Sequence, residues 1–139
     1  MTTSLNVLLA LCISCLLTSC SQQNEETPQE GLEAIIDLYE TKNITKLVNE
    51  RYTEIHKFKN EEDKQEVINK ITKYISNEKK YEEMILFFKS VQNTEPNFSQ
   101  TDPKWVQPTE TGESANFKGK PGQTYTLYEM KNGLWGFRM

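Results

Sequence analysis

The feature that most constrains this chain is an uncharged apolar run near its N-terminus, residues 5–17. As a helix this run would be roughly 20 Å long, because each residue adds about 1.5 Å. A membrane-spanning helix must cross about 30 Å of hydrocarbon and needs about 20 apolar residues. The run is therefore too short to span a bilayer and has the length of a signal-peptide core. The alternative is a buried N-terminal helix, which the following polar residues disfavour.

The run ends in Leu17, Thr18, Ser19 and Cys20. This motif resembles the lipobox of bacterial lipoproteins. The resemblance implies that signal peptidase cuts between Ser19 and Cys20, that the Cys20 thiol carries a diacylglycerol, and that the new amino terminus takes a fatty acid such as palmitate. Two or three acyl chains anchor a protein stably, whereas one holds it only marginally. Since Ser21 is not the Asp that favours inner-membrane retention in enteric bacteria, the resemblance implies the periplasmic side of the outer membrane rather than the inner membrane.

Three regions follow from this motif. We predict a cleaved signal peptide over residues 1–19, a lipidated cysteine and flexible tether over residues 20–27, and a single domain over residues 28–139. The tether is predicted because its residues after Cys20 are all polar or charged. About 110 residues remain, which suits one domain and not two.

Composition excludes several classes of function. All charged side chains follow Cys20, so the net charge of −4 belongs to the mature protein and argues against a nucleic-acid partner. Cys12 and Cys15 fall in the signal peptide and Cys20 is assigned to lipid, so we predict a domain held by burial without a disulfide. Neither a phosphate-binding glycine loop nor a set of ligands at metal spacing is present, and no cofactor or metal is predicted.

The first half of the domain has four helix signals. Thr27 and Glu30 form a capping box, and Asn43, Asn60 and Asn77 can cap three further helices. Apolar residues at helical spacing follow each cap, in the stripes Leu32, Ile35, Ile36, Tyr39; Ile44, Leu47, Val48, Tyr52, Ile55; Val67, Ile68, Ile71, Tyr74, Ile75; and Tyr81, Met84, Ile85, Phe88, Val91.

After Glu95 the pattern changes to short β-prone runs separated by turns. Pro121-Gly122 suits a type II turn. The predicted strands cover residues 104–107, 114–118, 124–130 and 134–139. The fold class is therefore α+β, with about four N-terminal helices followed by a three- to four-stranded antiparallel meander packed on them.

Asn132-Gly133 predicts a two-residue type I′ hairpin loop. That loop would pair Met130 with Trp135 and Tyr128 with Phe137. All four side chains would then share one apolar face, which the helices would cover.

Two segments carry a second resemblance. Residues 35–39, Ile-Ile-Asp-Leu-Tyr, precede a short second helix, and residues 131–137, Lys-Asn-Gly-Leu-Trp-Gly-Phe, form the closing strand. Together they are similar to small envelope lipoproteins with a nuclear transport factor 2-like (cystatin-like) domain. The resemblance implies a cone-shaped pocket between sheet and helices, used in that superfamily for ligands, catalysis or dimerisation, and it transfers no catalytic residue.

His56 is the only histidine and the one side chain whose ordinary pKa lies near neutrality. A catalytic role would need a carboxylate oriented on it, and Glu54 would point elsewhere on a helix, so a surface histidine is favoured. Aromatic residues near the C-terminus could line a ligand pocket, although such residues more often form the core: Trp105, Tyr125, Tyr128, Trp135 and Phe137.

Three functional hypotheses stay open at this point. The first is a non-enzymatic, lipid-anchored envelope protein that binds a protein partner or a small apolar ligand. The second is a pocket enzyme using His56 with a carboxylate. The third is an immunity or inhibitor lipoprotein that blocks a periplasmic toxin or hydrolase. A ligand binder requires an unfilled apolar cavity, whereas an inhibitor requires an exposed apolar or acidic patch.

Overall fold

A computed structural model describes residues 25–139. The signal peptide, Cys20 and most of the tether predicted from the sequence lie outside the described residues. Four helices come first, α1 (Pro28–Glu40), α2 (Ile44–Arg51), α3 (Glu61–Ile75) and α4 (Glu78–Gln92). Four strands follow, β1 (Asn97–Gln100), β2 (Glu110–Lys118), β3 (Thr124–Met130) and β4 (Trp135–Gly136), with 3-10 turns at Ile55–Lys57 and Pro103–Trp105. The α+β prediction is confirmed.

Each helix begins at the cap that the sequence indicated. The Thr27 hydroxyl accepts from the Glu30 backbone N–H, and the Glu30 carboxylate accepts from the Thr27 N–H at 2.7 Å. The side chains of Asn43, Asn60 and Asn77 each accept from a backbone N–H in the first turn of the next helix. These bonds satisfy donors that a helix leaves unpaired at its N-terminus, which is why short polar side chains set the starts.

The core lies between the helices and one face of the sheet. The described core residues fall within residues 32–137. Helix α4 packs against α1, α3 and β2, and Leu86 points to solvent. Among the described residues, no helix is both long and apolar enough to cross a bilayer.

The sheet is an antiparallel meander in the order β1-β2-β3-β4. Only the strand predicted over residues 124–130 has the observed bounds. Strand β2 begins at Glu110 instead of residue 114, and β4 covers only Trp135–Gly136 instead of residues 134–139. Residues 104–107 form no strand and contain a 3-10 turn, while β1 (Asn97–Gln100) was missed because its side chains are all exposed and show no alternation. Strand β1 is held instead by backbone pairing to β2 and by a 2.8 Å contact between the Ser99 and Ser114 hydroxyls.

The predicted register of the last hairpin is wrong by one residue. Glu129 pairs with Trp135 and Tyr128 with Gly136. The loop has three residues rather than two, because only Gly133 adopts a positive φ (+82°) and a type I′ turn needs positive φ at two positions. The Gly133 N–H donates to the Met130 carbonyl at 2.9 Å, which closes a turn over residues 130–133. Gly133, the last residue of this turn, is the one in the left-handed conformation.

Because of this shift, the four residues expected on one apolar face lie on two different faces of the hairpin. Trp135 and Phe137 belong to the core, whereas Tyr128 lies under the Arg138 guanidinium, 3.9 Å from ring centroid to Cζ, and Met130 is buried outside the core cluster. Side chains alternate along a strand, so a one-residue slip exchanges the two faces.

The chain before α1 is fastened to the last strand. The Glu26 carboxylate accepts from the Trp135 backbone N–H at 2.8 Å and from Arg51 Nη1 at 2.6 Å. The Trp135 indole N–H donates to the Glu26 carbonyl at 2.8 Å. Glu26, which the sequence assigned to the tether, therefore already contacts the domain.

Candidate functional site

An apolar pocket of about 330 Å³ opens at one end of the core. It lies between α1, α3, α4, β3 and the residues after β4. A pocket of this size is at the lower end of the range for small-molecule sites. The residues that line it are Tyr39, Lys70, Ile71, Tyr74, Met84, Phe88, Tyr125, Phe137, Arg138 and Met139.

Half of the lining residues are aromatic. The Phe88 ring centroid lies 4.8 Å from that of Tyr125, edge to face, and 5.6 Å from that of Tyr39. These distances fall within the range at which aromatic pairs attract each other, so the rings hold one another in place. The wall is consequently built from the helical stripes and β3 together, and no single element could supply it.

Two tyrosine hydroxyls are set into this apolar wall. Burial, and then the neighbouring Tyr74, raises the pKa of Tyr39 to about 12. Burial, and then Tyr39, raises the pKa of Tyr125 well above its usual value of 10.0. Both phenols therefore stay protonated at neutral pH and keep a proton to donate. Among the described residues, neither hydroxyl has a hydrogen-bond partner, and neither is one of the fully buried unpaired side-chain atoms, which are Arg51 Nε and Thr53 Oγ1, so both hydroxyls are accessible to solvent.

The rim of the pocket is more polar. Tyr74 is 48% exposed and Met139 64% exposed. Lys70 pairs with Glu66 at 2.7 Å on the solvent side of α3. The opening thus lies between α3 and the residues that follow β4.

Two other cavities are less suited to a ligand. One of about 220 Å³ lies beside the start of α2 and contains Lys42 and Ser76, and one of about 320 Å³ is lined by polar residues from α1 and the end of α4. Neither has a mainly apolar wall.

His56 does not lie at any of these cavities. It is exposed in the 3-10 turn after α2. The nearby Glu54 carboxylate accepts instead from the Tyr52 hydroxyl at 3.0 Å and from the Lys57 ammonium. Geometry therefore gives no support to His56 as a general base.

The aromatic residues that the sequence analysis considered as pocket residues lie in different parts of the structure. Tyr125 and Phe137 line the pocket, Trp135 is core, and Trp105 is 62% exposed. Cys20 and Ser19 lie outside the described residues. Within residues 25–139, no cluster of three or more His, Cys, Asp or Glu side chains could hold a metal ion.

A buried ion pair beside the pocket was missed from the sequence. Glu110 is 1% exposed. Its carboxylate accepts hydrogen bonds from Nε of Arg138, at 2.8 Å, and from Nη2 of Arg138. Burial acts to raise the pKa of Glu110, but hydrogen bonds from Arg138 and from the Gln107 backbone N–H outweigh it and lower the pKa below 4.5. No spacing rule could have found the pair, because β2 and the C-terminal residues meet only in the folded sheet.

Comparisons with known proteins return no relative. No protein-family model, no curated protein and no solved structure matches the chain. The lipobox and the nuclear transport factor 2-like resemblance therefore stay predictions.

Proposed function

We propose that this protein is a lipid-anchored bacterial envelope protein whose domain binds a small apolar ligand. The observation that carries the ligand assignment is the aromatic pocket at the end of the core. The anchor assignment rests on the motif that ends at Cys20.

The pocket supports ligand binding over the other hypotheses. An inhibitor requires a contiguous exposed apolar or acidic patch. Of the five exposed large apolar side chains described, Tyr74 and Met139 line the pocket, and the other three come from different elements: Leu86, Phe98 and Trp105. A His56 enzyme requires a pocket histidine, and His56 lines none of the described cavities. A small apolar ligand requires only the cavity that is present.

The contacts of Glu26 fit an anchored domain. Only residues 21–25 separate Cys20 from the carboxylate held at Trp135. A fully extended chain covers at most about 3.6 Å per residue, so the domain would stay within about 20 Å of the lipid attachment site. The pocket would then be presented close to the membrane surface.

Replacing Cys20 with serine tests the anchor. Since the hydroxyl cannot take the thioether-linked lipid, we expect Cys20→Ser to leave the membrane fraction and to accumulate as an unprocessed precursor. Fractionation with mass spectrometry of the N-terminus measures both effects, and Cys15→Ser is the matched control. Normal processing and membrane retention of Cys20→Ser would contradict the proposed anchor.

Filling the pocket tests ligand binding. Met84→Trp places a larger side chain in the cavity, and we expect at least a tenfold loss of affinity for tetralin, a two-ring hydrocarbon. The measurement is a chemical-shift titration of residues 25–139, the segment in which every described core residue lies. Leu86→Trp makes the same change at an exposed site on the same helix and should bind normally. Absence of tetralin binding to the unmodified domain would argue against the pocket as a ligand site.

A further inference from the structure

We propose that the pocket selects a flat, neutral aromatic molecule that presents an oxygen acceptor, such as a ketone carbonyl, to the hydroxyls of Tyr39 and Tyr125. This inference rests on the proposed function and specifies the class of ligand. Three properties of the pocket carry it: the shape of its wall, its two hydroxyls, and the use already made of its cations.

The wall favours a flat ring system. The Phe88 ring centroid lies 4.8 Å from that of Tyr125 and 5.6 Å from that of Tyr39. A ligand ring extends such a cluster with the same edge and offset contacts. The volume of about 330 Å³ exceeds the roughly 150 Å³ of an engineered cavity that takes benzene, so there is room for two fused rings.

The hydroxyls require an acceptor. Tyr39 is 7% exposed and Tyr125 lies against the core, yet neither phenol donates to another described residue. An apolar ligand without oxygen would leave both donors unpaired inside the complex, which is unfavourable. A carbonyl oxygen has two lone pairs and can accept from both hydroxyls.

The cations favour a neutral ligand. Two cationic side chains line the pocket, Arg138 and Lys70. Arg138 already binds Glu110 through two nitrogens, and Lys70, which is 62% exposed, pairs with Glu66. A carboxylate bound deep in the pocket would therefore lack a buried counter-charge, and burying an unpaired charge is costly.

The test compares 1-tetralone with tetralin, which share a carbon skeleton and differ by one carbonyl oxygen. The affinity of each probe is measured by chemical-shift titration of residues 25–139 and of three variants of this segment, Tyr39→Phe, Tyr125→Phe and Tyr81→Phe. We expect 1-tetralone to bind more tightly than tetralin, and each pocket variant to weaken 1-tetralone binding by about three- to tenfold, as expected for one hydrogen bond. Tetralin affinity should change by less than about twofold, which also reports that the pocket remains folded.

Tyr81 lies on α4 outside the pocket lining, so Tyr81→Phe should leave both affinities unchanged. Equal binding of the two probes, with no effect of Tyr39→Phe or Tyr125→Phe, would overturn the acceptor inference while leaving the proposed function intact. Tighter binding of 1-naphthoate than of 1-tetralone would overturn the neutral class. Failure of every probe to bind would contradict the proposed function itself.

Discussion

Replacing Arg138 with methionine is expected to destabilise the domain by roughly 3 kcal/mol. The change leaves the Glu110 carboxylate, which is 1% exposed, without its guanidinium partner. Removing one member of a buried pair typically costs 3 to 5 kcal/mol, and the lower value applies because the Arg138 side chain is 19% exposed. Methionine keeps an unbranched chain to pack on the Tyr128 ring. Urea denaturation at neutral pH measures the difference in free energy of unfolding.

The loss should depend on pH. The pKa of Glu110 is lowered in the folded protein, so its contribution to stability is complete above its ordinary pKa of 4.5 and disappears as the pH falls through the lower, folded value. In Arg138→Met the buried carboxyl is easier to protonate. The stability gap between the original protein and the variant should therefore shrink as the pH is lowered below 4.5.

A double variant separates the unpaired charge from lost packing. Glu110→Met combined with Arg138→Met removes both charges, and we expect it to regain at least half of the stability lost in Arg138→Met, since apolar pairs often replace buried ion pairs without net cost. If the double variant is as unstable as the sum of the two single variants, the ion pair is not the source of the effect.

Gly136→Ala should also be strongly destabilising, by about 3 kcal/mol. A Cβ at this position would lie 2.4 Å from the Arg51 carbonyl oxygen and 2.7 Å from the Met130 sulfur. The Arg51 carbonyl cannot withdraw easily, because it is backbone and accepts from the Phe137 N–H at 2.8 Å beside the bridge that joins Tyr52 to Phe137. Thermal and urea unfolding of the variant test this expectation.

Gly122→Ala is the matched comparison. Nothing lies within 4 Å of a Cβ at Gly122, but its φ of +81° is unfavourable for alanine and should cost about 1 kcal/mol. If Gly136→Ala is no more destabilised than Gly122→Ala, close approach at Gly136 is not what requires glycine there.

Local chemistry could be predicted where it depends on neighbours in the chain. The caps at Thr27 and Asn60 and the type II turn at Pro121-Gly122 need only groups a few residues apart. In that turn Gly122 has φ +81°, and the Gln123 N–H donates to the Lys120 carbonyl at 2.9 Å. Such signals act before the fold forms, so the sequence carries them directly.

The hairpin at Gly133 shows where local signals become ambiguous. Asn-Gly fits both a two-residue loop and the end of a three-residue loop. The three-residue loop is stabilised by Trp135. In the observed register its indole N–H donates to the Glu26 carbonyl and its backbone N–H donates to the Glu26 carboxylate. These groups are 109 residues apart, and hairpin rules contain no information about them.

By itself the sequence determined the helices, their apolar stripes, the turn chemistry, the α+β class and the position of the motif that ends at Cys20. Only the tertiary structure decided which aromatic residues face a cavity and which fill the core, and that Glu110 and Arg138 are partners. The reason is physical: periodicity describes one element at a time, whereas a pocket is the space left when several elements meet. Tyr39 and Tyr125 come from a helix and a strand far apart in the chain, and packing alone places their hydroxyls in one cavity.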